Sequence, residues 1–287
     1  MMHAPASQYV TVDGVRLHYQ EIPGPVGAET VVFTHGGGPG STGWSNWRAS
    51  AEAFSAHYRC IYLDFPLFGQ SDCVPVQGLV FSWHARKLLG FLDALGLPQV
   101  HLVNQSFGGC VAIRFAADHP ERVGRMTLIG SQPVGGGVMA PLPLFSKHAA
   151  TLMSDYFFAD GGPSIEKMRA LIRKYELLDD SRLDEENARL RFEASNNPHL
   201  LQLLSTRGPA AFGEWEDLVP VFPQVKAPTL ILWGLHDWFG GIDVPMLMLN
   251  RFADARLHVV GKAAHHLQSE YPAEFDRVAL PFLRETS

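Results

Sequence analysis

The sequence is short of the features that would seat it in a membrane, on nucleic acid or around a metal. It has three cysteines, Cys60, Cys73 and Cys110. The number is odd and no CxxC spacing occurs, so neither a disulfide framework nor a zinc site is expected, and buried thiols in a reducing cytoplasm are the simpler expectation. No apolar run approaches the roughly 18 residues of a membrane span. The N-terminal MMHAPASQYVTVDG lacks the basic-then-apolar order of an export signal. A cytoplasmic protein without a membrane partner is expected. Basic residues number 23 against 29 acidic ones, a net charge of -6, which supplies no broad positive field and argues against nucleic acid as a partner. None of the 13 histidines sits in an HExxH pattern, so no metal site is expected. Internal repeats and low-complexity tracts are also missing.

What the chain does have is apolar content, 46% of 287 residues, ample for a large buried core. Tyr9–Val12 and Arg16–Gln20 are short alternating runs joined by Asp13-Gly14, which predicts a hairpin turn. After a Pro/Gly-rich link come apolar runs at Thr30–Thr34, Arg59–Asp64, Gln99–Gln105 and Arg125–Gly130, then Thr229–Trp233 and Arg256–Val260. Helix-like stretches at Ser45–Ala56, Ser82–Leu95, Gly109–His119 and Pro272–Leu283 intervene or follow. Such alternation predicts βαβ units and a sheet buried on both faces. From Ser131 to about Phe222 the pattern turns helical, as in IEKMRALIRKYELL and EENARLRFEA. The expected architecture is therefore an α/β fold: a mostly parallel central sheet flanked by helices, with an inserted helical lid. Residues 1–132 and 223–287 would form the core and 133–222 the lid.

Three signals carry chemistry. The first is LVNQSFGG, residues 102–109, between an apolar strand and a helical run. A serine at such a strand-to-helix turn sits on a strained backbone that lifts its hydroxyl above the sheet, which makes Ser106 a candidate nucleophile. The pattern is looser than G-x-S-x-G, since Asn104 stands at the first glycine; a serine that merely caps a helix is the competing reading. The second is HGGGPG, residues 35–40, directly after a strand. Glycines let backbone N–H groups approach a developing oxyanion, and Gly37 with Phe107 are the candidate donors. A flexible turn or phosphate loop would read similarly, but GK[ST] and GxGxxG endings are absent. The third is order: Asp237 follows TLILWG and His265 follows LHVV, giving Ser106, Asp237, His265 in the succession that a hydrolase of this architecture uses. Asp243 is a rival acid, placed further from the strand end. His266 is a rival base.

With those residues in view, the chain resembles the meta-cleavage product hydrolases, carbon–carbon bond hydrolases of the α/β-hydrolase fold that act in bacterial aromatic-compound degradation. The likeness runs from HGGGPGSTGWSNW, residues 35–47, through LVNQSFGG and RLRFEASNNP, residues 189–198, to WGLHD, residues 233–237, and GKAAHH, residues 261–266. It places the base at His265. It also implies that Gly38, Asn46, Arg191 and His266 contact the substrate, with Arg191 on its carboxylate. The chain departs from the family's elbow at Asn104, Gln105 and Phe107. It also has His266 where tryptophan is usual, and Phe65-Pro66-Leu67-Phe68-Gly69 in place of a Pro-Gly-Phe-Gly turn.

The resemblance implies a cofactor-independent serine hydrolase that cleaves a 2-hydroxy-6-oxo-hexa-2,4-dienoate into a 2-hydroxydienoate and a carboxylic acid. It further implies a small-molecule carboxylate as substrate and self-association into a homo-oligomer. A carboxylesterase of the same fold would share the triad but would need no Arg191 contact, and a non-catalytic ligand receptor would need no triad. For Arg191 the alternative is a solvated helix charge paired with Glu186 or Glu193. Phe145, Tyr156, Phe157 and Phe158 are candidates for the wall around the group flanking the ketone.

Overall fold

The computed structural model describes residues 2–133 and 145–285, with backbone alone for 145–150. Eight strands form one sheet: β1 (Ser7–Val12), β2 (Val15–Ile22), β3 (Thr30–Thr34), β4 (Arg59–Leu63), β5 (Val100–Gln105), β6 (Val123–Ile129), β7 (Thr229–Gly234) and β8 (Ala255–Val260). Their spatial order is β1-β2-β4-β3-β5-β6-β7-β8. β1 and β2 pair antiparallel, as do β2 and β4, and every pairing from β4 to β8 is parallel. The expected hairpin turn is present, with φ 48° at Asp13 and 74° at Gly14, the doubly left-handed geometry of a type I′ turn.

The two faces of the sheet follow from the two-residue period of a strand. Val32, Leu102, Leu128 and Ile231 join one apolar cluster, whereas their neighbours Val31, Phe33, Val103, Ile129, Leu230 and Leu232 join another. Helices α3 (Val80–Ala94) and α4 (Phe107–Asp118) cover the first face. Helices α1 (Gly43–Trp47), α2 (Ala51–Ser55) and α11 (Pro272–Arg284) cover the second. The single helix expected over Ser45–Ala56 is in fact these two short ones. Thr42 caps the first, its hydroxyl accepting from Ser45 N while Ser45 Oγ accepts from Thr42 N. Trp47 then pins its end to the sheet by donating from Nε1 to Thr34 O at 3.0 Å.

Between β6 and β7 the chain forms α5 (Phe145–Phe158), α6 (Ile165–Leu171), α7 (Glu185–Ser195) and α8 (Pro198–Arg207). α6 runs directly into a π-helical turn over Ile172–Glu176. No strand occurs among the described residues of this segment. α9 (Asp243–Arg251) precedes β8, and α10 (Leu267–Glu270) follows it. Among the described residues no helix is long and apolar enough to cross a membrane.

The strand order decides where a site can form. The chain leaves β3 for β4 on one side and returns to β5 on the other, and ligands of open α/β sheets bind beyond the carboxyl ends of strands at such a switch. HGGGPG leaves the end of β3, and Ser106 stands at the end of β5.

Candidate active site

Ser106 occupies φ 48°, ψ -114°, a left-handed conformation that a side chain normally avoids and that costs on the order of 1–3 kcal/mol unless its surroundings impose it. They do. Ser106 N donates to Ile129 O at 2.7 Å, and Gly108 N donates to His35 O at 3.0 Å. The helix approaches so closely that a Cβ placed on Gly108 would stand 2.3 Å from Thr34 Oγ1, and one on Gly109 would stand 1.8 Å from Ser131 Oγ. Asn104 fits this crossing through its own bonds. Its Oδ1 accepts from Thr34 Oγ1 at 2.7 Å and its Nδ2 donates to Thr127 O at 2.9 Å, tying β3 and β6 to β5.

His265 and Asp237 meet from separate loops. His265 Nδ1 lies 2.8 Å from Asp237 Oδ2, both side chains buried. The carboxylate is held by its other oxygen, which accepts from Phe239 N at 2.8 Å and Gly240 N at 3.3 Å. Gly130, at φ 54°, passes so near that a Cβ there would meet His265 Nδ1 at 2.8 Å. The histidine loop is also stitched to the π turn. Glu270 Oε2 accepts from Ala264 N at 2.8 Å, while its Oε1 accepts from Leu178 N and Asp179 N at 2.8 and 3.0 Å. His266 N donates to Glu176 O at 3.0 Å.

Ser106 and His265 share the wall of a cavity of about 330 Å³ between the sheet and the 145–222 segment. Its polar wall residues stand together: Gly36 lies against Gln105, Gly38 against Glu176, and Glu176 against His266. The rest of the wall is mainly apolar, with Phe68, Val80, Met153, Phe157, Phe212 and Trp215 among its residues. Gly37 abuts Phe107, whose Cβ would be 3.2 Å from a Cβ at Gly37. Phe107 opens α4, so its amide belongs to the first turn, where N–H groups have no acceptor within the helix.

The remaining expected contacts divide. Gly38 and His266 line the cavity; Asn46 and Arg191 stand one layer behind the described wall. Asn46 donates from Nδ2 to Gln105 Oε1 at 3.3 Å. Arg191 is not a solvated charge: it is 1% exposed and pairs with neither Glu186 nor Glu193, which Arg189 engages instead. Its Nη1 donates to Glu176 Oε2 at 2.5 Å, and Nε and Nη2 donate to Pro39 O at 3.2 and 3.1 Å. Phe157 and Phe158 line the cavity, whereas Tyr156 turns its hydroxyl to Ser195 Oγ at 2.6 Å. The Phe145 side chain lies outside the described residues.

Glu176 is the residue that the sequence reading missed. Its signal lies in spacing: Met168, Ile172 and Glu176 follow one another at intervals of four on a helical pattern and all are buried, so a carboxylate stands where the apolar face predicts a core residue. Burial opposes its charge, but Arg191 and then His266 outweigh that and hold its pKa at about 2. Burial pushes His266 down to about 3 despite the neighbouring Glu176, whose Oε2 is 3.5 Å from its Nδ1. His35 is likewise lowered by burial; its Nε2 accepts from Phe65 N at 3.0 Å, a structural use of the ring.

Comparison with known proteins gives the family. The family model for the alpha/beta hydrolase fold matches residues 29–272. A 2-hydroxy-6-oxo-6-phenylhexa-2,4-dienoate hydrolase of Comamonas testosteroni is 38% identical over 275 residues, covering 94% of this chain and 91% of that protein. A 2-hydroxy-6-oxononadienedioate/2-hydroxy-6-oxononatrienedioate hydrolase of Burkholderia vietnamiensis is 35% identical, covering 97% and 96%. Among solved structures, a meta-cleavage product hydrolase from Pseudomonas fluorescens IP01 superposes with a TM-score of 0.81 at 28% identity, covering 98% of each chain. The chain belongs to the meta-cleavage product hydrolases of the α/β-hydrolase fold.

Proposed function

We propose that this protein hydrolyses a carbon–carbon bond in a 2-hydroxy-6-oxo-hexa-2,4-dienoate type ring-fission product, with Ser106 as nucleophile, His265 as base and Asp237 as the group that orients it. The observation that carries the reading is the cavity itself. Ser106, His265 and Gly37 share its wall with the polar group around Glu176 and with a larger apolar lining, which suits a substrate polar at one end and alkyl or aryl at the other. The names of the relatives support the same substrate class.

In this reading the dienol first passes to its keto tautomer, gaining a proton at C5 and placing an electron sink beside the bond to be broken. Ser106 Oγ attacks the C6 ketone and His265 takes its proton, with Asp237 fixing the imidazole tautomer through the 2.8 Å contact. The Gly37 and Phe107 amides receive the oxyanion, where one donor is worth about 3 kcal/mol. The C5–C6 bond breaks, its electron pair passes into the dienol of the departing 2-hydroxydienoate, and His265 returns the proton. An ester remains on Ser106. Water then attacks it, again through His265, and frees the carboxylic acid.

Residues 133–222 act as the lid, and Gln105 joins the substrate-binding set. Gln105 is fully buried on the wall, and its Nε2 has no hydrogen-bond partner among the described residues, so a ligand oxygen would satisfy it. A cytoplasmic homo-oligomer completes the reading. The test compares kcat/KM for coloured ring-fission dienoates carrying alkyl or aryl ketones with that for simple esters. A preference for any dienoate of at least about a hundredfold supports the proposal, and esters as the better substrates would replace it with a carboxylesterase.

A further inference from the structure

The polar part of the cavity wall carries a carboxylate of its own. Glu176 forms part of the wall, Arg191 stands behind it, and the two meet at 2.5 Å with side chains 5% and 1% exposed. Among the described residues of the wall none is a lysine or arginine. A carboxylate that enters a buried site without a cation forfeits most of its hydration energy, so a carboxylate ligand here has one guanidinium within reach. No side chain of the glycine loop separates that guanidinium from the cavity: a Cβ placed on Gly38 would be 2.9 Å from Arg191 Nη2 and 3.4 Å from Glu176 Oε1. Yet Glu176 already occupies Nη1, and Pro39 O accepts from Nε and Nη2. Two carboxylates crowded onto one guanidinium repel each other, and neither His265 nor His266 adds a charge there in its neutral form.

We propose that Glu176 is a specificity-determining residue that competes with the substrate's carboxylate for Arg191. In the free protein it fills the place, and a carboxylate substrate binds by displacing it. The exchange replaces one buried charge-assisted bond by another of the same kind, so the net gain is small compared with what an open guanidinium would give. A substrate with a neutral head group meets no such competition. Two further features fit the exchange. Glu176 closes a π-helical turn, with Leu177 N donating to Ile172 O at 3.2 Å, a departure from regular helix that often accompanies functional positions. Gln105, on this part of the wall, has an Nε2 with no hydrogen-bond partner among the described residues, so a ligand's oxygen atom would be met by a donor already in place.

The inference rests on the reading of the substrate as a carboxylate, so its test uses binding and does not depend on turnover. The probe is hexa-2,4-dienoate, a dienoate with no ketone to attack, with its methyl ester as the neutral control, titrated calorimetrically into wild-type protein and Glu176→Gln. Relief of competition predicts that the variant binds the carboxylate at least tenfold more tightly than wild type, with the Kd for the ester changed by less than threefold. An equal or weaker Kd for the carboxylate in a folded variant overturns the proposal and makes Glu176 a structural partner of Arg191. Should Glu176→Gln fail to fold, a crystal structure of the wild-type protein with hexa-2,4-dienoate decides. The ligand's carboxylate on Arg191 with Glu176 turned away supports the proposal; an intact Arg191–Glu176 pair, with or without ligand elsewhere in the cavity, overturns it. Loss of the proposed function would instead show as failure of every dienoate to be cleaved by wild-type protein, a result these binding measurements do not depend on.

Discussion

Replacing Arg191 with glutamine removes a buried cation that joins the lid segment to the glycine loop, and the structure shows which bonds are lost. The substitution deletes the Nη1 bond to Glu176 and the Nε and Nη2 bonds to Pro39 O, leaving a fully buried carboxylate without its partner. Breaking a buried pair from one side costs about 3–5 kcal/mol. Arg191 is the main influence that lowers the Glu176 pKa against the opposing effect of burial, so the direction of the loss is the same from either partner. Thermal denaturation should show Tm lower by about 10 °C, and the Glu176 carboxyl should titrate higher than in the wild-type protein, since burial then acts without the opposing guanidinium. If a substrate carboxylate also uses Arg191, kcat/KM for a dienoate should fall roughly a hundredfold or more relative to that for a neutral ester, about 2.7 kcal/mol. Wild-type Tm would refute the energetic reasoning. An unchanged dienoate-to-ester ratio in a folded variant would refute the binding role.

Other outcomes follow from the same contacts. His265→Ala should lose far more activity than His266→Ala in steady-state assays, since His265 pairs with Asp237 and His266 does not; the reverse order would make His266 the base. Acid should destabilise the fold. His266, lowered to about 3, stays neutral while the unfolded imidazole protonates below about 6.5, so its contribution is complete above that value and is lost as pH falls toward 3. Glu176 acts in the same direction, its contribution present above the ordinary glutamate range and lost toward 2. His266→Gln should therefore flatten urea-derived stability between pH 6.5 and 4.5 by about 1 kcal/mol per pH unit, and an unaltered slope would count against that linkage. Gly40→Ala should destabilise by more than about 2 kcal/mol in the same assay, because a Cβ at φ 65° would stand 1.8 Å from Arg191 O; near-wild-type stability would mean that the loop yields.

The parallel strands were legible because each is a short apolar run closed by glycine or polar residues, and β3 matches its expected span, Thr30–Thr34. The site was legible where backbone conformation dictates residue type, as at Ser106 with Gly108 and Gly109, or where chain order brings Asp237 and His265 to neighbouring strand ends. Side-chain partners between lid and core were not. Nothing in EENARLRFEA distinguishes Arg189, which turns to Glu186 and Glu193, from Arg191, which turns inward, except that Asn187, Arg191 and Ser195 share one buried face. Polar residues on a buried face carry no apolar period to detect. The break between α1 and α2 was hidden for a related reason: both halves have helical composition, and the anchoring of Trp47 to Thr34 is a tertiary contact.

The central claim is serine-dependent cleavage of a carbon–carbon bond, and product analysis tests it most directly. Purified wild-type protein and Ser106→Ala would each be incubated with 2-hydroxy-6-oxo-6-phenylhexa-2,4-dienoate. The account predicts benzoate and 2-hydroxypenta-2,4-dienoate in equal amounts from the wild-type protein, and turnover at least about a thousandfold slower in the variant. Failure of the wild-type protein to cleave this dienoate and its 6-alkyl counterparts alike, or equal product from both proteins, would contradict it.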